Sequence, residues 1–246
     1  PPCGKVCAAS KQSRHGYGQV RARARLRGRS ASGRAMPRPL MIKLVRHGQS
    51  LANVDGFDPQ LAGDFRTPLT EVGIVQARAA GEAIGHEFVA GSLVYLSPYW
   101  RTRETLDAKA AREDAIGIYE DPRLRELDHG YGNVKDQAHK REKHGWFYYR
   151  YEGGESPADC YDRTSGFLES MMRQVERKAA SRVLIVTHGM ALRCFVMRFL
   201  RLSIEQFEVI ENPHNGDVVT IAPAESLADF ELELGGWRVR GLRLRS

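Results

Sequence analysis

Short apolar runs, each halted by a turn residue, alternate along the chain with longer stretches of helical character. MIKLVR (41–46) is aliphatic and β-branched and stops at His47-Gly48, as a strand running into a turn does. Residues 51–69 are irregular, with Gly56, Pro59, Gly63 and Pro68. Thr70 is suited to cap a helix from Glu71 to about Val89, with Val72, Val75, Ala79, Ala83 and Ile84 falling near one face. LVYLS (93–97) reads as a second strand ended by Pro98, followed by a helix from about Tyr99 to Arg112, and IGIYED (116–121) as a third strand. Residues 122–155 are mixed, with a helix expected between Lys135 and Tyr149. Ser156 as cap and Pro157 at the first helical position start a helix running to about Ala180. RVLIVTH (182–188) reads as the cleanest buried strand, with a helix, Met190 to Leu200, behind it, and DVVTI (217–221) is a further strand. In the segment 224–246, FELEL (230–234) and RVRGLRL (238–244) alternate like an edge hairpin. Strands separated by long helices predict an α/β fold of three αβα layers, a mostly parallel central sheet with helices on both faces.

Composition agrees with a folded domain, since a 42% hydrophobic share supports a sizeable core. No apolar run approaches the roughly 18 residues of a membrane span, so no membrane partner is expected. The formal charge of +7 raises the question of nucleic acid, and its location answers it. Residues 1–40 carry ten Lys or Arg and no acid, leaving 27 basic against 30 acidic side chains in 41–246. Residues 1–40 therefore read as a disordered basic leader, with non-native sequence, an Arg-rich transit peptide or a nucleic-acid arm as the competing readings. The domain is expected over 41–246, slightly acidic and without a nucleic-acid partner. Cys3, Cys7, Cys160 and Cys194 lack the spacing of a disulfide framework or a zinc site, and a reducing, cytoplasmic-type compartment fits, or an organelle if the leader is a transit peptide.

Two strands end in the same dipeptide, His47-Gly48 after LVR and His188-Gly189 after IVT. Ligands of open α/β sheets bind beyond the carboxyl ends of the strands, so neighbouring strands would bring both histidines into one crevice. A single strand-end His is usually a satisfied surface residue; two in matched contexts are not read that way. RHGQS (46–50) adds Arg46, SPYWRTRET (97–105) places Arg101 near a helix start, and LRELDHG (124–130) supplies Glu126. Two guanidiniums, two imidazoles and one carboxylate suit a phosphate monoester. Arginine grips phosphate oxygens bidentately, a neutral imidazole can attack phosphorus, and a carboxylic acid can protonate the leaving oxygen.

These motifs, with GGES (153–156) and VTHG (186–189), resemble in order and spacing the histidine phosphatase superfamily, and within it the plant and fungal phosphoglycerate-mutase-like branch. The similarity covers about residues 41–223. The resemblance implies a phosphoglycerate-mutase-like fold and a metal-independent phosphatase that needs no cofactor. It implies His47 as the nucleophile that becomes transiently phosphorylated, Arg46, Arg101 and His188 as ligands of the transferring phosphoryl group, and Asn53 as their support. It implies Glu126 as proton donor, with Asp128 a nearby rival. Gly189 would let the backbone approach phosphate closely. The substrate would be a small phosphorylated metabolite or a phosphopeptide.

Two other functions compete: a phosphoglycerate-type mutase, whose longer stretch after L-x-E is not matched by LRELDHGYGNV, and a non-catalytic module that binds a phospho-ligand. Around the site, Arg103 reads as a solvent-facing residue or the partner of an acid. His129, His139 and His144 read as surface residues without metal-ligand spacing. The aromatic group Trp146, Phe147, Tyr148, Tyr149 and Tyr151 reads as core, with a lid over the site as the alternative. Asn215 reads as a turn residue.

Overall fold

The computed structural model describes residues 39–54, 56–57, 63–107, 115–131 and 137–245. The basic leader, apart from Pro39 and Leu40, lies outside the described residues. Seven strands form one sheet, β1 (Met41–Arg46), β2 (Leu93–Leu96), β3 (Gly117–Glu120), β4 (Arg182–Thr187), β5 (Val218–Pro223), β6 (Leu232–Leu234) and β7 (Trp237–Arg240), in the order β3-β2-β4-β1-β5-β7-β6. Pairing from β3 through β1 is parallel, while β5, β7 and β6 pair antiparallel along the other edge. The short returns after β5 leave no room for the helical crossover of a parallel connection, so β6 and β7 add to that edge antiparallel.

Side chains of successive strand residues point to opposite faces, and in β4 both faces are buried. Val183 and Ile185 join one apolar cluster and Leu184 and Val186 the other. Helices α5 (Pro157–Lys178) and α6 (Gly189–Leu200) cover the first face. Helices α1 (Glu71–Ile84), α2 (His86–Val89) and α3 (Trp100–Asp107) cover the second, completing three layers. The α5 helix starts as its sequence indicates, with a reciprocal Ser156–Asp159 cap and Pro157 in the first turn, and buries Cys160, Thr164, Phe167, Met171 and Val175.

Helix α1 corrects the expected apolar face. Val72 and Val75 are exposed, and Gly73, Ala77, Ala80 and Ile84 face the sheet. The reason is proximity: a Cβ on Gly73 would stand 1.9 Å from the Gln49 carbonyl oxygen, so only small residues fit there. The helix also ends at Gly85, whose φ of +79° starts the separate short α2. Helix α3 is described to Asp107, and the remainder of its expected length lies outside the described residues. Between α3 and α5, α4 (Ala138–His144) is shorter than the expected helix because the following aromatics turn into the core. After α6, α7 (Ile204–Glu208) is too short for periodicity to announce, although Ser203 and Gln206 form its capping box.

Candidate active site

Strands β1, β4 and β2 end together, and their ladder continues one residue into the loops. His47 N donates to Thr187 O at 3.0 Å and Ser97 N to Val186 O at 3.1 Å. With Arg46 opposite Thr187, the next residues, His47 and His188, emerge side by side. Their ring centroids are 5.0 Å apart at an interplanar angle of 65°, and both rings are buried. A carbonyl can only accept, so the 2.7 Å contact of His47 Nδ1 with Gly48 O places the proton on Nδ1 and leaves the lone pair on Nε2. Gly48 is obligatory: a Cβ there would lie 2.2 Å from Gly73 O, and its N–H is held by Thr105 Oγ1 at 3.0 Å.

Arg101, in the first turn of α3, aims its Nε at His47 Nε2 across 3.3 Å. The opposite edge of the same guanidinium is taken by Asp64, with Nη1 to Oδ1 at 2.8 Å and Nη2 to Oδ2 at 3.2 Å. The edge formed by Nε and Nη2 thus remains turned to the histidines. Tyr99 lies 4.7 Å under this guanidinium and meets the His188 ring edge-on at 5.1 Å. Ser97 Oγ contacts His188 Nε2 at 2.8 Å, and His188 Nδ1, also buried, makes no hydrogen bond among the described residues. Arg46 closes the floor, its Nη1 donating to Pro213 O at 2.6 Å and its buried Nε without a hydrogen-bond partner among the described residues.

The opposite wall is the chain after β3. A 3₁₀ turn, Pro122–Leu124, is capped by Asp121, and Thr187 Oγ1 donates to Leu124 O at 2.8 Å, tying the turn to the end of β4. Glu126 follows, its Oε1 accepting from Leu127 N at 2.9 Å and from Met190 N, in the first turn of α6, at 3.1 Å. Among the described residues, Oε2 has only the longer 3.4 Å contact with Met190 N. Asp128 is exposed and accepts from Gly130 N at 2.8 Å, so the two acids are separated by environment. The GGES segment lies backbone to backbone against this wall: a Cβ on Gly154 would meet Asp128 O at 2.4 Å, and one on Gly130 would meet Glu152 O at 2.0 Å.

Electrostatics follow from burial among cations. Burial first, then Arg101 and Arg46, hold His47 well below the ordinary imidazole pKa, with the Gly48 carbonyl opposing. For His188, burial is followed by Arg101, His47, Arg163 and Arg46, again strongly downward. Burial also lowers Arg46, which Glu126 and Asp217 partly offset. The result is two neutral imidazoles beside two guanidiniums, an anion site whose His47 Nε2 is available as a nucleophile. Among the described residues no group of three or more His, Cys, Asp or Glu could hold a metal ion, and no helix is long and apolar enough to cross a membrane.

His47, His188, Arg46, Arg101 and Glu126 are thus brought together from four places in the chain. Asn53 stands one step away. Its Oδ1 accepts from Ser50 N and from Asn215 Nδ2, and Asn215 Nδ2 also donates to His47 O at 3.0 Å. Asn215 therefore does more than shape a turn. Gly189 has a packing reason of its own, since a Cβ there would meet Asn212 Oδ1 at 3.1 Å. Arg103 pairs with Glu120 on the surface at 2.6 Å. Phe147, Tyr149 and Tyr151 are core, Trp146 stacks on Phe207, and Tyr148 is exposed, so the aromatic group anchors the wall instead of forming a lid. His139 and His144 are exposed on α4, and His129 meets the edge of Tyr151. The sequence reading did not single out Asp64, Ser97, Tyr99, Thr105 or Arg163. Only the SP-to-helix motif, which contains three of them, offered a signal.

The chain belongs to the histidine phosphatase superfamily (branch 1), whose model matches residues 42–233. It is 36% identical to the phosphoglycerate mutase-like protein AT74 of Arabidopsis thaliana over 73% of this chain and 64% of that relative, so it spans slightly less than two thirds of that protein's length. It is 26% identical to the broad-range acid phosphatase DET1 of Saccharomyces cerevisiae over 79% of this chain and 89% of the relative. Among solved structures, the alpha-ribazole phosphatase of Shigella flexneri shares the fold with a TM-score of 0.61 at 21% identity, covering 83% of this chain and 96% of that one.

Proposed function

We propose that this protein hydrolyses phosphomonoesters of small metabolites or peptides through a phosphohistidine on His47, without a metal. The observation that carries the reading is the hydrogen bond from His47 Nδ1 to Gly48 O. It directs the Nε2 lone pair toward the space edged by Arg101 and keeps a neutral nucleophile among cations. In the first step Nε2 bonds to phosphorus as the ester P–O bond breaks, and the leaving oxygen takes a proton from Glu126. Water then attacks the phosphohistidine, gives its proton back to Glu126, and frees phosphate and His47. Arg46, the Nε–Nη2 edge of Arg101, and His188 would hold the equatorial oxygens, where fixed donors contribute most as charge builds. A proton on His188 Nδ1 can reach such an oxygen when Ser97 donates to Nε2.

Glu126 fits the acid role better than Asp128. It lies on the site wall, and its less engaged Oε2 can carry a proton, whereas Asp128 serves an exposed turn. The test is brief exposure to a ³²P-labelled aryl phosphate followed by alkaline quench, with and without EDTA. A labelled, acid-labile protein band absent from a folded His47→Ala variant is expected. Label retained in that variant, or turnover abolished by the chelator, would overturn the reading.

A further inference from the structure

Arg163 contributes no atom to the phosphoryl site, yet it is the most fully engaged cation beside it. It projects from α5 with its side chain 9% exposed. Nη1 donates to Arg123 O at 2.7 Å and Arg125 O at 2.8 Å, and Nη2 donates to Glu126 O and Glu155 Oε2, both at 3.0 Å. Nε donates to Glu155 Oε1 at 3.1 Å. A guanidinium has five N–H groups, and here five acceptors meet them. Three of those acceptors are carbonyls within residues 123–126, a convergence that a free extended strand, with carbonyls alternating in direction, would not make.

Glu155 completes the frame. Besides receiving Arg163 on both oxygens it is paired with Arg125 and accepts from Asp128 N at 3.3 Å, while its own N–H donates to Asp128 O at 2.8 Å. The residues on either side of Glu126 are therefore fastened to one ion pair, and the carboxyl of Glu126 is left to meet the first turn of α6.

We propose that Arg163, neutralised by Glu155, is the positioning residue for the proton donor, so that its loss impairs protonation of the leaving group and spares phosphoryl binding and nucleophilic attack. The inference rests on the assignment of Glu126 as that donor. Leaving-group dependence separates the two roles. Para-nitrophenyl phosphate expels a stable phenolate and needs little help from an acid; glycerol 2-phosphate expels an alkoxide and needs it fully. Positioned acid catalysis contributes about 10²–10⁴-fold.

The experiment measures kcat and KM on both substrates for Glu126→Gln, Arg163→Met, Arg163→Lys and Glu155→Gln, with circular dichroism as a folding check. In kcat/KM, which reports transfer to His47 and excludes the dephosphorylation that both substrates share, Glu126→Gln should lose about 10²-fold or more on glycerol 2-phosphate and less than about tenfold on the aryl ester. Arg163→Met should reproduce that selectivity with KM little changed. Arg163→Lys, with three donors for five acceptors, should fall between. Glu155→Gln, which weakens the hold on the Arg163 guanidinium, should show the same selectivity to a smaller extent. Should Arg163→Met not fold, the Lys and Gln variants carry the test. Equal losses on both substrates, or none, in the Arg163 and Glu155 variants would overturn the inference. Absence of selectivity in Glu126→Gln itself would instead remove the donor assignment on which it rests.

Discussion

Replacing Gly48 by alanine tests how His47 is held, because the strain it introduces can be read from the structure. The new Cβ would lie 2.2 Å from Gly73 O and 3.1 Å from Gly73 Cα. Ordinary contact begins near 3.4 Å, so about 1 Å must be regained by moving the end of β1 or the first turn of α1. Neither gives easily. Gly48 N is bonded to Thr105 Oγ1, Gln49 O accepts from Thr70 N at 2.9 Å, and Thr70 caps α1 through Gly73 N. Overpacking of this kind costs about 1–3 kcal/mol. For a domain this size that lowers Tm by about 2–12 °C. Turnover should suffer more, since a shift of about 1 Å at the reacting group can cost about 10²-fold. Thermal melts and aryl phosphate turnover of Gly48→Ala measure both effects. Gly166→Ala provides the control, because its Cβ would meet nothing nearer than Arg123 Nη1 at 3.7 Å. It should hold stability or gain about 0.5–1 kcal/mol from helix propensity. A Gly48→Ala protein that melts and turns over like its parent would refute the steric argument.

Two further outcomes are expected. His47 and His188 are neutral when folded and protonate below about pH 6.5 when unfolded. Stability should therefore be fully present above that pH and be lost as pH falls, each histidine adding about 1.4 kcal/mol per pH unit to the slope. Denaturant midpoints from pH 7.5 to 5 in phosphate-free buffer should show His188→Asn with the shallower dependence; identical slopes would mean that His188 is charged in the fold. Asp64→Asn removes an anion from the Arg101 guanidinium, and inorganic phosphate should then inhibit about fivefold more tightly, the worth of about 1 kcal/mol for a half-exposed pair. Weaker inhibition would show that Asp64 supports phosphate binding instead of competing with it.

The strands, the three-layer order and the central residues were legible because each has a local cause. Apolar runs ended by His-Gly announce strand ends, Ser156-Pro157 announces a helix start, and paired His and Arg imply an anion. What was hidden depends on distance between backbones. Val72 and Val75 satisfied helical periodicity, yet the face with Gly73 and Ala77 won because β1 ends within contact of α1. Arg163 escaped notice for a related reason, and Glu155 entered only as one letter of the GGES motif, without a role. An arginine on a polar helix and a glutamate before it look like a solvated pair, and only tertiary structure shows three carbonyls turned toward that guanidinium. Asp64 lies in an irregular segment where no period distinguishes one acid from another.

The continuation of the sheet ladder into His47 and Ser97 has a consequence for motion. Their amides hydrogen-bond to Thr187 and Val186 of the central strand, so they belong to the part of the molecule that opens last. Hydrogen exchange at these two sites should require an excursion close to global unfolding, whereas Asp64 and Asp128, on the surrounding loops, belong to segments that can open locally. Evolution can therefore reshape the rim of this crevice for new esters while its floor stays as rigid as the core of the sheet.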